Sequence, residues 1–182
     1  MSDHSYSVVR LERLPPQDVE RVAEEVIGFL RLRRLLGAPK NGGWEPGPAY
    51  RSVLTEAAMS FYGEQPLGME WIGRNHVEVH RDWQGYFAIE AFGPPLCPRC
   101  RRPADEEACL EHMDEWFEGI EPTLCCQTCG AEPLIGDWVG DCANAFGAPA
   151  VTFWNWEELR PDFVADLRRT LGGRTSVVHT HM

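Results

Sequence analysis

Lysine is nearly absent from this sequence of 182 residues. Lys40 is the only lysine among seventeen basic residues, and twenty-eight acidic residues bring the formal charge to −11. Nucleic acids bind to clusters of cationic side chains, and a surface this acidic repels their phosphates. The charge balance therefore favours a basic protein partner over a nucleic acid.

Membrane and secretion signals are absent as well. No apolar run approaches the ~20 residues that cross a bilayer. The N-terminal stretch MSDHSYSVVR has neither the basic nor the apolar region of a signal peptide. We therefore expect a cytoplasmic protein that does not associate with membranes.

The motifs of common nucleotide-binding and hydrolytic enzymes are also missing. The sequence contains no G-x-x-x-x-G-K-[ST], no G-x-G-x-x-G after a strand and no G-x-S-x-G. Because 43% of the residues are hydrophobic and seven are tryptophan, a packed interior is nevertheless expected. The sequence thus favours a folded, non-catalytic protein.

Cysteine is the residue type that carries a clear pattern. The seven cysteines are odd in number and fall mostly in C-x-x-C pairs, which favours metal ligation in a reducing compartment over disulfides. A two-residue spacer turns both sulfurs of a pair toward one point. The pairs CPRC and CQTC therefore predict one structural Zn²⁺ site, with four protein ligands and no open coordination position. Its ligands are Cys97, Cys100, Cys126 and Cys129.

CPRC followed by CQTCG resembles the paired knuckles of zinc-ribbon proteins, over residues 95–132 only. Pro98 and Gly130 suit the tight turns of such knuckles. We therefore expect a zinc-ribbon-like insertion at residues 94–132 within a single α+β domain of residues 1–182.

The stretch between the knuckles departs from a simple ribbon. Its apolar residues recur at helical spacing, which predicts a short amphipathic helix that packs on the main sheet or faces a partner. These residues are Leu110, Met113, Trp116, Phe117 and Ile120. The other face is acidic, with Asp105, Glu106, Glu107, Glu111, Asp114, Glu115 and Glu118. Such a face can meet an arginine-rich ligand.

Hydrophobic periodicity and turn residues outline the rest of the fold. The predicted elements are a strand at 6–14, helices at 17–36 and 53–61, a hairpin at 69–93, strands at 133–138 and 150–156, a helix at 161–171 and a strand at 175–182. The glycine- and proline-rich residues 37–50 are predicted to form a loop. This order predicts an α+β fold, with helices packed on one face of a mostly antiparallel sheet.

The stretch NHVEVH offers the best candidates for catalysis. An H-x-E followed by C-x-x-C is similar to the zinc nucleobase deaminases, but two C-x-x-C pairs are present and Leu96 replaces the proline before the first cysteine. Strand spacing would put His76 and His80 about 13 Å apart. We therefore interpret His76, Glu78 and His80 as a solvent-facing polar strand face.

A metal-dependent hydrolase or deaminase-like enzyme that uses His76 and Glu78 remains an alternative. It would require a further acid, such as Asp137 or Asp141, to converge with them in a cleft. The aromatic stretch FWNW at residues 153–156 is interpreted as core packing.

Several other residues leave alternatives open. A second metal site could involve Cys109, His112, Cys125, His179 or His181, whereas Cys142 is interpreted as a core residue. A nucleic-acid-associated zinc ribbon is a further alternative, because Arg99, Arg101 and Arg102 crowd the first knuckle. The preferred hypothesis is a cytoplasmic, zinc-stabilised protein-interaction module, for example a bacterial immunity-type inhibitor that binds a basic protein.

Overall fold

A six-stranded antiparallel sheet lies at the centre of the structure, a computed structural model that describes residues 4–40, 42–61, 75–87, 94–111, 113–139 and 144–181. For residues 61, 106, 110 and 181 only the backbone is described. The strands are β1 (His4–Arg10), β2 (Leu36–Lys40), β3 (Gly43–Pro46), β4 (His76–His80), β5 (Gln84–Tyr86), β6 (Ala145–Gly147), β7 (Ala150–Trp154) and β8 (Thr175–His181). The main sheet has the order β2-β3-β4-β7-β1-β8, and β5 pairs with β6 in a separate two-stranded sheet.

Five helices accompany these strands in the described residues: α1 (Pro16–Leu32), α2 (Glu56–Phe61), α3 (Glu106–Glu111), α4 (Met113–Phe117) and α5 (Pro161–Leu171). Two 3-10 turns cover Tyr50–Val53 and Ile135–Asp137. The predicted α+β class, with a mostly antiparallel sheet, is confirmed. No described helix has both the length and the apolar character required to cross a membrane.

One face of the sheet is covered by α1 and α5. Each helix has a proline in its first turn, where the missing N–H costs nothing. Their apolar sides, with Val26 and Leu30 on α1 and Leu167 on α5, join the central strands in one buried cluster. Gly172 ends α5 with φ 67°, as its predicted cap requires. The prediction of these two helices is confirmed, although α1 ends at Leu32, before residue 36.

The stretch FWNW turns the chain from β7 toward α5. Phe153 and Trp156 are buried on the helix side and pack edge-to-face with centroids 5.0 Å apart. Asn155 takes a left-handed conformation with φ 56°, and its backbone N–H donates to the His4 carbonyl oxygen at 2.8 Å. The predicted core role of this stretch is therefore confirmed for Phe153 and Trp156.

The opposite face of the sheet has an apolar half and a polar half. Val9, Ala150 and Val178 belong to a second buried cluster, which they share with side chains of the cysteine-rich insert. Most remaining positions of the central strands on this face carry polar residues, among them Glu78 and Thr152, and Trp154 lies beside them. The insert therefore covers only part of the face that the helices leave open.

The predicted loop at 37–50 is wrong, because this segment contains β2 and β3. β2 lies at the edge of the sheet, where Pro39 is tolerated because one side of the strand makes no ladder. Trp44 of β3 pairs with Val77 of β4. A Cβ on Gly43 would lie 2.3 Å from the Val77 carbonyl oxygen. This glycine therefore serves a close approach between strands and not a turn.

Two predicted β elements also need correction. β4 and β5 lie in different sheets and do not form the predicted hairpin; residues 69–74 and 88–93 of that prediction fall outside the described residues. The predicted strand at 133–138 is a 3-10 turn, in which the Ile135 N–H donates to the Pro122 carbonyl oxygen at 2.9 Å. The predicted helix of the insert corresponds to α3 and α4, and His112 between them lies outside the described residues.

Shortening Phe153 tests the helix-side core. The Phe153 side chain is fully buried between Trp156 and Phe163. We expect Phe153→Leu to lower the free energy of unfolding by about 1 kcal/mol or more, because the smaller side chain leaves a cavity. Leu32→Ala is the control, since Leu32 is 85% exposed. Urea denaturation that gave equal losses for both variants would contradict this packing.

Candidate metal centre

The two C-x-x-C pairs fold into matching turns. The Cys97 N–H donates to the Arg102 carbonyl oxygen at 2.8 Å, and the Arg101 N–H donates back to the Cys97 carbonyl oxygen at 2.9 Å. In the second turn, Cys126, Ala131 and Gly130 make the same two bonds at 2.8 Å each. Arg101 and Gly130 hold the equivalent left-handed position, with φ 61° and 66°. Each turn thus directs both of its thiols to one side.

The structure brings the four predicted cysteine ligands together. Their sulfur atoms all lie within 4.8 Å of one another. Cys97 Sγ and Cys129 Sγ are 3.9 Å apart, and Cys100 Sγ and Cys126 Sγ are 3.6 Å apart. A tetrahedron of sulfurs around an ion at about 2.3 Å has edges of about 3.8 Å. These distances are too long for a disulfide and fit a group that can hold one metal ion.

Hydrogen bonds and burial shift the proton affinities of these thiols in opposite directions. The Cys129 backbone N–H, supported by that of Thr128, outweighs burial and lowers the pKa of Cys126 to about 6. A backbone bond from Arg102 lowers the pKa of Cys100, but burial and the other three thiols raise it to about 12. Thiols bind metal ions as thiolates, so an ion at this site would displace the protons of those thiols that are still neutral.

The cluster lies within the second buried core. Cys97 and Cys126 are buried, and Cys100 and Cys129 are partly exposed. The core also contains the buried Trp116, Trp138 and Phe146. A metal ion bound by the four thiols would therefore join the two turns within this core.

Backbone bridges and one arginine connect the insert to the rest of the chain. Leu96 and Val139 exchange backbone hydrogen bonds at 2.6 and 3.1 Å. Arg174, next to β8, donates to Glu121 at 2.6 Å and to Asp137 at 2.7 Å. Its pKa is raised because these hydrogen bonds, above all the one to Glu121, favour the charged form. Asp137, the candidate catalytic acid, is thus engaged in an ion pair.

The other candidate ligands do not join a metal-binding group within the described residues. Cys109 is buried in the second core, and Cys125 is exposed beside the cluster. The His179 ring packs edge-to-face on Tyr6 at 4.4 Å, on the helix side of the sheet. His112, Cys142 and Asp141, like the side chain of His181, lie outside what the structure describes.

The residues of NHVEVH form a hydrogen-bonded network on the polar half of the sheet face. Val77 and Val79 point into the helix-side core, so His76, Glu78 and His80 share the opposite face. His76 Nε2 lies 2.9 Å from Glu78 Oε1, and His80 Nε2 lies 3.5 Å from Glu78 Oε2. Their side chains are only 20 to 23% exposed. The predicted polar strand face is therefore confirmed, although it is only partly exposed to solvent.

Neighbouring strands complete this network. Trp154 Nε1–H donates to Glu78 at 3.0 Å, and Thr152 Oγ1 lies 3.1 Å from His80 Nε2 and 2.9 Å from Ser7 Oγ. Burial lowers the pKa of His80 and outweighs the opposing effect of Glu78. In a catalytic triad the acid bonds the ring nitrogen that does not face the hydroxyl. Here Glu78 and Thr152 both approach Nε2 of His80, which is a different arrangement.

Sequence reasoning missed this network because its members come from different strands. Only the antiparallel register, with His76 opposite Trp154, Glu78 opposite Thr152 and His80 opposite Ala150, brings them together. Asp137 forms an ion pair with Arg174, which directly precedes β8. The strand register instead places His76 level with the end of β8. The acid and the histidine are thus at opposite ends of the sheet.

Comparisons of the chain with protein-family models, with curated proteins and with solved structures gave no match.

Replacing one cysteine tests the metal centre. We expect one metal ion per chain in the purified protein, measured by elemental analysis, and loss of that ion in Cys126→Ser. The insert should loosen, while the far-ultraviolet circular dichroism of α1 and α5 persists because the helix-side core holds these helices. Cys125→Ser is the matched control, because Cys125 is adjacent but outside the cluster. Equal metal content in the two variants would contradict the assigned ligands.

Proposed function

We propose that this protein is a non-catalytic protein-interaction module, with its cysteine-rich insert fixed by a structural Zn²⁺ ion and a basic protein as its partner. Thiolates are soft ligands that suit Zn²⁺, and four of them complete its tetrahedral shell. No coordination position is then left for water or substrate. The ion would hold the insert in place, and the insert would act through the surface that it presents.

The distribution of ion pairs carries this proposal. Most acidic partners of the arginines lie outside the insert: the pairs are Arg10–Glu12, Arg21–Asp18, Arg21–Glu25, Arg33–Asp166, Arg81–Glu20, Arg81–Glu24, Arg160–Asp162, Arg169–Asp166, Arg174–Asp137 and Arg174–Glu121. The exposed acids on α3 and α4 are instead without an ion pair to any described residue. They are Glu107, Glu111, Asp114 and Glu115, and Glu118 follows them. Unpaired carboxylates on a fixed lobe favour a cationic partner.

An immunity-type inhibitor is one concrete form of this function. Such a protein neutralises a toxin inside the cell, and an acidic surface would complement a cationic toxin. A cytoplasmic location agrees with the six free thiols of the described residues, because free thiols persist in a reducing compartment. Size, charge and this surface support the idea, and they favour no particular toxin.

The first knuckle favours a second candidate, a nucleic-acid-binding function. Arg99, Arg101 and Arg102 are exposed there, and none forms an ion pair within the part of the chain that the structure describes. Three cations at the tip of a zinc ribbon could contact phosphates. The net charge of −11 opposes this reading, and the acids outnumber these arginines on the same insert.

Charge reversal tests the proposed function. Wild-type protein, Glu115→Arg and Glu45→Arg are each used as bait in extract from the producing cells, at low and at high salt. Glu45 is an exposed acid on β3. Because both variants replace one glutamate with arginine, they have the same net charge. We expect the wild-type bait to retain a basic protein that high salt releases. Glu115→Arg should retain this protein about tenfold more weakly, which corresponds to about 1.4 kcal/mol of binding free energy.

The control Glu45→Arg should retain the partner like the wild type. The proposal fails if no basic protein is retained, or if both reversals act alike. Retention that disappears after nuclease treatment and after replacement of Arg99, Arg101 and Arg102 would favour the nucleic-acid function instead.

A further inference from the structure

An aromatic patch lies where the insert meets the two-stranded sheet. The rings of Phe87, just after β5, and Phe117, at the end of α4, both pack edge-to-face on Phe146 of β6. The centroid distances are 5.4 and 5.9 Å. Trp83 lies beside Phe117, because its indole N–H donates to the Phe117 carbonyl oxygen at 3.2 Å. We call Trp83, Phe87 and Phe117 the aromatic patch.

The patch leaves large apolar surface in contact with water. Phe146 beneath it is 3% exposed, but Phe87 is 41% and Phe117 is 62% exposed. Ile120, two residues beyond Glu118, is 66% exposed. Exposed aromatic side chains grouped on one rigid support are typical of protein-binding surfaces, where such rings become the buried anchors.

Charges around the patch identify the chemistry of the partner. Asp114, Glu115 and Glu118 are exposed on α4 and directly after it, next to Phe117. Arg13 donates to the Glu118 carbonyl oxygen at 3.1 Å and lies over the Trp83 ring, and Arg81, which lines the same cavity as Trp83, is ion-paired with Glu20 and Glu24. An apolar centre with an acidic rim complements a basic surface that carries an apolar side chain.

Two separate parts of the chain build the patch. Phe117 belongs to the insert, whose turns meet at the four thiols, and Phe87 directly follows β5. The contact between them runs through Phe146, on which Trp116 of the insert also packs at 5.5 Å. Loosening the insert would move Phe117 away from Phe87 and divide the surface.

We infer that the aromatic patch is the docking site for an apolar side chain of a basic protein segment, and that the patch is complete only while the thiol cluster holds its metal ion. This inference rests on the proposed function and names the surface and the metal dependence of that binding. The patch would supply the anchor, and the neighbouring acids would select arginine- or lysine-rich partners.

Designed peptides test the docking site by fluorescence anisotropy. The probe is a labelled helical peptide of arginine and alanine with two leucines one turn apart. One control peptide replaces the leucines with serine, and another replaces the arginines with glutamate. We expect wild-type protein to bind the leucine peptide about tenfold more tightly than the serine peptide, and not to bind the glutamate peptide.

Protein variants assign this preference to the patch. Phe117→Ser should abolish the preference for leucine, and Leu32→Ser should keep it, because Leu32 is exposed on the opposite side of the sheet. Chelation of the metal, or Cys126→Ser, should have the same effect as Phe117→Ser. Cys125→Ser should have none.

The possible outcomes separate the two proposals. Equal binding of the leucine and serine peptides, or an unchanged preference in Phe117→Ser, would overturn the docking site while leaving the proposed function intact. Preference that survives chelation would overturn the metal dependence. Failure to bind any arginine peptide would overturn the proposed function and this inference together, and binding of a single-stranded oligonucleotide in its place would favour the nucleic-acid alternative.

Discussion

The convergence of four thiols is the constraint that determines how the insert packs on the sheet. Each C-x-x-C turn is local, but the two turns are separated by 25 residues that include α3 and α4. Holding both turns at one point fixes the chain between them against the sheet. Trp116 can then pack on Phe146, and Phe117 lies on the surface beside it. The shape of the insert therefore follows from the shared sulfur site.

The two faces of the sheet are stabilised by different physical means. α1 and α5 close one face with apolar side chains, where burial alone supplies most of the stability. The other face combines an apolar half under the insert with a polar half around Glu78. Buried polar groups are costly unless they are hydrogen-bonded, and Glu78 meets this condition through Trp154 and His76. The strand register is thus specified by polar as well as apolar contacts.

Local signals in the sequence were sufficient for the long helices and for the cysteine cluster. The period of apolar residues, the first-turn prolines and Gly172 define α1 and α5, and the two-residue spacers define the thiol group. Long-range pairing could not be predicted in the same way. β3 depends on the close approach of Gly43 to β4, which the sequence does not reveal. β5 pairs with β6, which lies about 60 residues further along the chain. The network around Glu78 likewise depends on register and not on spacing.

The most direct measurement of the central claim is X-ray absorption spectroscopy at the zinc edge on the purified protein. We expect a first shell of four sulfur atoms at about 2.3 Å, with no nitrogen or oxygen neighbour. Such a shell would come from Cys97, Cys100, Cys126 and Cys129. A shell with fewer sulfurs and a bound water or imidazole would contradict it, because an open or mixed site would make the ion available for chemistry.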